Sequence, residues 1–296
     1  RLGLLAGLAA ASVITSSALA GPIDIVLVVD ESGSMSGEHA WLQGMVSSLN
    51  AALATKGQTD VRYSLVGFGG AGAIESGHVL RNSQTAANFT TGSLGLVTTG
   101  ATEDGYAGLN HAFNNVTFRA GSAQNFILIT DEDRDNTNAA LTFNSIKAAL
   151  NGRNALLNVC VDATLNDGSA GAPPPPPILG INGIGNSSSP YKAYLQNGST
   201  TGFITSPGGG VTSSFGTTLQ DYIQLAFQTT VGTHNGAAWD LNQLRAGGNT
   251  AAAFTNAFID LKVEEIIQQV IPLPNGAWMG LAGLAGVGIL RRIRRK

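Results

Sequence analysis

Apolar runs of strand length alternate with segments of helical period along the first half of the chain. Residues 23–30 are near-continuously apolar and end on Asp30, which predicts a strand buried on both faces. Residues 38–55 place Trp41, Leu42, Met45, Val46, Leu49, Ala52 and Leu53 on one helical face. Residues 60–68 read as a second strand, and residues 78–81 as a short edge strand. Tyr106, Leu109 and Phe113 stand at i, i+3 and i+7 in a helix expected over residues 103–114. A buried strand follows at residues 126–130, then a helix at 138–150 with Leu141, Ile146 and Leu150 inward, then a buried strand at 156–161. This β-α alternation with apolar strands predicts an α/β fold: a doubly wound, mostly parallel sheet flanked by helices.

The pattern breaks between residues 163 and 216, which are rich in Gly, Ser, Asn and Pro. Five consecutive prolines, 173–177, are confined to a polyproline II strut or loop. Short apolar pieces at 178–181 and 203–204 predict a small hairpin inside an irregular insertion, not a second core. Regular structure is expected to resume with a helix at 218–227, a strand-like segment at 237–244 and a final helix at 254–269.

The two ends read differently from this core. Arg1, an apolar run and Ala18-Leu19-Ala20 before Gly21 have the layout of a secretory signal peptide, residues 1–20. The alternative is an N-terminal membrane anchor. Residues 271–296 run Ile-Pro-Leu-Pro, then a Gly/Ala/Leu-rich apolar stretch from Ala277 to Leu290, then an Arg/Lys cluster. As a helix that stretch is about 21 Å long, short of the ~30 Å hydrocarbon core of a bilayer. The three-part layout resembles the PEP-CTERM class of bacterial sorting signals, in its Val-Pro-Leu-Pro-like form. The resemblance implies an exported protein, anchored in the membrane in transit, processed by an exosortase-like enzyme and delivered to the cell surface or extracellular matrix. A plain C-terminal membrane anchor is the alternative. The domain left between the ends is residues 21–270.

Charge changes the picture once the ends are set aside. The whole chain has a net charge of −3 and only 12% charged residues. Without Arg1 and the five basic residues of the tail, 10 Lys and Arg face 19 Asp and Glu, a balance of about −9. No basic patch remains to neutralise phosphates, which argues against nucleic acid as a partner. A cation-attracting surface is the expectation. Cys160 is the single cysteine and sits in an apolar strand, which predicts a buried structural thiol.

The candidate chemistry lies at strand ends. Asp30-Glu31-Ser32-Gly33-Ser34 follows the first strand directly and forms D-x-S-x-S, one carboxylate and two hydroxyls at alternate positions. Oxygen-only ligands suit a hard divalent cation, and open α/β sheets bind ligands at the carboxyl ends of their strands. Thr102 stands before a helix, where alone it reads as an N-cap. Asp131 follows the strand Phe126-Ile127-Leu128-Ile129-Thr130. Parallel strands bring such ends together.

Asp30, Ser32, Ser34, Thr102 and Asp131, in that order and each after the right kind of element, resemble the von Willebrand factor type A (VWA) domain and its metal-ion-dependent adhesion site (MIDAS). The resemblance covers residues 23–162 and resumes over 218–270; the 163–216 insertion departs from it. It implies Mg²⁺, with Mn²⁺ or Ca²⁺ as alternatives, bound by those five residues. It also implies a protein or acidic-polysaccharide partner that supplies a carboxylate to the open coordination position. Nothing in the set is a nucleophile or tuned general base, so recognition and not catalysis is expected. The rival reading is a structural envelope or matrix scaffold whose metal site only stabilises the fold.

Three other patterns carry less. Gly67–Gly72 matches G-x-G-x-x-G without a helix directly after it. Asp131, Asp133 and Asp135 alternate like the start of an EF-hand, but Asn136 and Thr142 stand where Gly and Glu are required. The histidines, 39, 78, 111 and 234, have no zinc-site spacing and read as surface or packing residues.

Overall fold

The computed structural model describes residues 21–168, 176–183, 192–232 and 234–270. The signal-like segment, the tail and prolines 173–175 lie outside the described residues. The chain order begins β1 (Ile23–Asp30), α1 (Ser36–Thr55), β2 (Val61–Phe68), β3 (His78–Gln84), α2 (Ala86–Phe89) and α3 (Gly105–Asn115). It continues with β4 (Ala123–Ile129), α4 (Phe143–Gly152), β5 (Leu156–Val161) and β6 (Ala163–Asn166). Next come β7 (Ile178–Asn182), β8 (Lys192–Gln196), β9 (Phe203–Pro207) and β10 (Gly210–Ser214). A wide π-turn, Leu219–Ile223, runs into α5 (Gln224–Phe227). The chain closes with β11 (Thr230–Val231), β12 (His234–Asn235), β13 (Ala237–Asp240), α6 (Leu241–Arg245) and α7 (Gly248–Val270).

Nine strands form one sheet in the order β3-β2-β1-β4-β5-β13-β7-β8-β9. The five strands from β2 to β13 are parallel, as the apolar runs predict. All eight residues of β1 are buried, because helices cover both faces of the sheet. Ile25, Leu27 and Val29 enter one core with α1 and α7, while Val26 and Val28 enter the other with α3. In the first core Trp41 and Trp239 each meet Phe254 and Phe258 edge-on, with ring centroids 5.3–5.7 Å apart. Such pairs each contribute about 0.5–1.5 kcal/mol beyond burial, and here they lock α7 onto α1 and the sheet.

The helices expected at 138–150 and 254–269 run instead over Phe143–Gly152 and Gly248–Val270, and the structure departs from expectation in three further places. The small hairpin expected near 178–205 is instead three strands that extend the main sheet, with β7 pairing antiparallel to β13. Leu179, Ile181, Ala193, Tyr194 and Leu195 are buried there. An open edge on β13 would leave backbone groups unpaired beside apolar surface, and the extension supplies their partners. The segment expected as strand at 237–244 is a strand only to Asp240, whose side chain accepts from the Asn242 N–H and starts α6. The helix expected from residue 103 starts at Gly105, capped by Asp104 rather than Thr102. No helix among the described residues is long and apolar enough to cross a membrane.

Candidate metal centre

β1 lies between β2 and β4, so the loops after all three strands meet at one sheet edge. Asp30 ends β1 and is fully buried. Its Oδ1 accepts from the Ser32 N–H at 2.7 Å and its Oδ2 accepts from the Thr130 hydroxyl at 2.8 Å. These bonds aim the carboxylate across the loop. Among the described residues no Lys, Arg or His side chain neutralises it. Burial therefore raises its pKa to about 7, with the Ser32 and Thr130 hydrogen bonds opposing and the Asp131 charge adding.

Ser32 Oγ and Ser34 Oγ are 3.1 Å apart, and Ser34 Oγ donates to Asp131 Oδ1 at 3.0 Å. Adjacent corners of an octahedron with metal–oxygen bonds of about 2.1 Å are ~3.0 Å apart. The donor set thus has Mg²⁺ spacing while its members hydrogen-bond to one another. Ser34 is exposed, Ser32 and Asp131 are buried, and the site opens to solvent on the Ser34 side.

Thr102 belongs to the neighbouring loop. The backbone N–H groups of Thr99 and Gly100 donate to the Glu31 carbonyl at 3.1 and 3.3 Å, and Ser32 forms a parallel bridge with Gly100. A Cβ at Gly69 would lie 3.0 Å from Asp30 Oδ1 and 3.4 Å from the Thr102 carbonyl oxygen. The Gly67–Gly72 run is thus used for close approach of loops beside the carboxylate, without a following phosphate-binding helix. Because Asp104 caps α3, the Thr102 hydroxyl has no hydrogen-bond partner among the described residues and is left free for another role.

Four residues around the site, Glu31, His39, Glu103 and Arg245, had no assigned role in the sequence reading. Glu31, at a variable position of the motif, is fully buried; it accepts from the Val97 N–H at 2.9 Å and pairs with His78 Nε2 at 2.6 Å. It pins the Thr102 loop. His39 Nε2 contacts the Asp30 carbonyl at 2.8 Å, so this histidine serves the loop and not merely the surface. Glu103 is buried beside Asp30, and burial first, then the Asp30 charge, pushes its pKa up to about 8. Arg245 donates to Asp131 Oδ2 at 2.7 Å and to Glu38 Oε1 at 2.5 Å. Apart from His39, nine residues from Asp30, these pairings join residues 47 to 207 apart in sequence, where no local pattern signals them.

The residues fit a hard cation. The fitting observation is a fully buried carboxylate without counter-charge, beside two hydroxyls and a second carboxylate at coordination spacing. No group of three or more His, Cys, Asp or Glu that could hold a metal ion occurs among the described residues, and the set here has two carboxylates, Asp30 and Asp131. Asp133 and Asp135 are committed elsewhere, to the Thr217 N–H and the Glu103 N–H. Cys160 is buried, and burial pushes its thiol pKa up.

No protein-family model matches the chain, and no curated protein matches it. Among solved structures the chain is similar to proximal thread matrix protein 1 from the mussel byssus, at 15% identity and a TM-score of 0.34 over 49% of this chain and 37% of that one. A form of that protein with a zinc-occupied MIDAS motif gives 15% identity and a TM-score of 0.35. An aerotolerance-related membrane protein from Bacteroides fragilis gives 13% identity and a TM-score of 0.44 over 83% of this chain and 99% of that one. The conserved hypothetical protein BatB from Bacteroides thetaiotaomicron gives 14% and 0.41 over 81% and 99%. The match spans little more than a third of the thread matrix protein and nearly all of the two Bacteroides proteins.

Proposed function

We propose that this chain is an exported, surface-associated VWA-type protein that binds a divalent cation, Mg²⁺ by preference, and uses it to hold a partner. Asp30, Ser32, Ser34, Thr102 and Asp131 are the ligands. The observation that carries the reading is the buried Asp30 carboxylate, without counter-charge, beside Ser32, Ser34 and Asp131 at coordination spacing. When bound, the cation supplies an electrophilic position for a carboxylate from a protein or an acidic polysaccharide. The chain's own residues do the rest. Ser32 N–H and Thr130 aim Asp30, Glu31 holds the Thr102 loop, and exposed Ser34 marks the open side. Three of the five groups are neutral hydroxyls and the Asp131 carboxylate is shared with Arg245, so the set would leave a bound cation able to draw a partner's carboxylate. No nucleophile–base pair accompanies the site, so we assign it binding and not catalysis. Export, transient anchoring and exosortase-like processing rest on the two chain ends.

The test is Mg²⁺ binding by the purified full chain, wild type and Asp30→Ala, followed by retention on extracellular-matrix material with and without chelator. The expected result is saturable binding lost in Asp30→Ala, and retention lost with chelator. A scaffold would show a metal-dependent melting temperature with retention unchanged. Absence of Mg²⁺, Mn²⁺ and Ca²⁺ binding by wild type sinks both.

A further inference from the structure

α6 is a five-residue helix whose last residue, Arg245, reaches back to the metal loop. Its Nε donates to Glu38 Oε1 at 2.5 Å, its Nη2 donates to Asp131 Oδ2 at 2.7 Å, and Met35 Sδ lies 3.9 Å from the same nitrogen. Asp131 is 8% exposed and Glu38 2%, whereas the Arg245 side chain is 32% exposed. One carboxylate therefore faces two ways. Asp131 Oδ1 takes the Ser34 hydroxyl, and Oδ2 takes the guanidinium. No other Lys or Arg among the described residues is hydrogen-bonded to Asp131 or Glu38.

We propose that Arg245 is a resident counter-cation that sets the affinity of the metal centre: it neutralises Asp131 and Glu38 when the centre is empty and weakens cation binding by sharing Asp131. This rests on the metal-site reading above. The physics is a competition for one carboxylate. A buried acid without a partner is costly, so the guanidinium stabilises the cation-free protein. The same fixed positive charge, one carboxylate away from the hydroxyl pair, repels a divalent ion and draws electron density from its ligand. The result is a centre that needs a higher cation concentration to fill than it would without the guanidinium, and that does not collapse when empty. Arg245 is a positioning residue in this scheme; it touches a ligand and not the cation.

An ordinary structural ion pair and a counter-cation differ in what removal does. Losing a structural pair lowers stability and leaves cation affinity unchanged or weaker. Losing a counter-cation lowers stability and tightens cation binding. The experiment titrates Mg²⁺ into the full chain by calorimetry, for wild type, Arg245→Gln and Arg245→Lys, and measures melting temperature in chelator and in saturating Mg²⁺. In Arg245→Gln, Mg²⁺ affinity should rise about tenfold, the effect of one nearby charge on one carboxylate. Its melting temperature should fall in chelator and recover in Mg²⁺. Arg245→Lys, which keeps the charge, should stay near wild-type affinity. Reduced or unchanged affinity in Arg245→Gln, with wild type binding normally, overturns the proposal and leaves the metal reading standing. No binding by either protein overturns both. If Arg245→Gln does not fold, Glu38→Gln decides: it leaves the guanidinium to Asp131 alone, so Mg²⁺ affinity should drop several-fold, and an unchanged affinity overturns the proposal.

Discussion

Lys262 and Glu265 are both fully buried, on the face of α7 that lies against the sheet, with Nζ 2.7 Å from Oε2. Their surroundings are polar by design of the sequence: Asn158 Nδ2 donates to Glu265 Oε2 at 3.0 Å, and Asn158 Oδ1 accepts from Trp239 Nε1 at 3.2 Å. Lys262→Met keeps most of the side-chain volume and removes the charge, together with the ammonium's bond to Asn125 Oδ1 at 3.4 Å. Glu265 is then a buried carboxylate held by one amide. Direct loss of a partner from a buried pair costs about 3–5 kcal/mol. An upper bound comes from the proton: an ordinary Glu, with a pKa near 4.3, takes one up at pH 7 for about 3.7 kcal/mol. The expected penalty is therefore about 3–4 kcal/mol at pH 7, falling to about 1 kcal/mol at pH 5, where the same proton costs 0.7 units. The sign follows from protonation: the variant's native state binds a proton the unfolded state has lost, so its stability falls as pH rises. Urea unfolding of both proteins at pH 5 and pH 7 measures this. Lys262→Met/Glu265→Leu should regain most of the loss, because no charge is left to pair. A single-variant penalty below about 1 kcal/mol, or one equal at both pH values, would refute the reasoning, since removing a partner from a buried pair costs more.

Other expectations are simpler to state. Asp240 is buried, and burial pushes its carboxyl up to about 6 against hydrogen bonds from Gln243 and Asn242. The stability this group contributes is complete below pH ~4 and lost as pH rises through 6, so Asp240→Asn, which keeps the cap on α6, should raise stability at pH 8 by about 1–2 kcal/mol and leave pH 4 unchanged; denaturation at the two pH values checks it. A Cβ at Gly100 would lie 1.4 Å from the Gly69 carbonyl oxygen. Gly100→Ala must displace the Thr102 loop, with a cost of about 3 kcal/mol or more and weakened Mg²⁺ binding; wild-type binding and melting temperature in this variant would contradict the loop packing.

What could be read from the chain beforehand follows from the range of the interactions. β1, β4 and β5 were legible because burial on both faces writes an apolar run into consecutive residues. D-x-S-x-S was legible because three oxygen-bearing side chains, Asp30, Ser32 and Ser34, sit within five residues at one strand end. The extension β7–β8–β9 was not, because its strands are five residues each, divided by polar stretches, and acquire meaning only by pairing with β13. The cap that Thr102 would supply on its own is taken by Asp104, two residues on, and its place among the site residues rests on the resemblance. Arg245 and Glu38 meet across 207 residues of sequence, a separation at which no periodicity survives.

β13 has only four residues, yet it joins β5 on one side to β7 on the other. It also follows both of them in the chain, β5 by some eighty residues. A chain emerging from its N-terminus therefore presents the β5 edge open, and β7, β8 and β9 have no sheet to join, until residue 240 is available. The sheet closes late, through a non-local pairing, which makes slow assembly the rule for this topology. α6 and Arg245 follow β13 directly, so the counter-charge for the metal loop arrives in the same step. The Asp131 carboxylate thus gains its charge partner only once the chain has been made through residue 245.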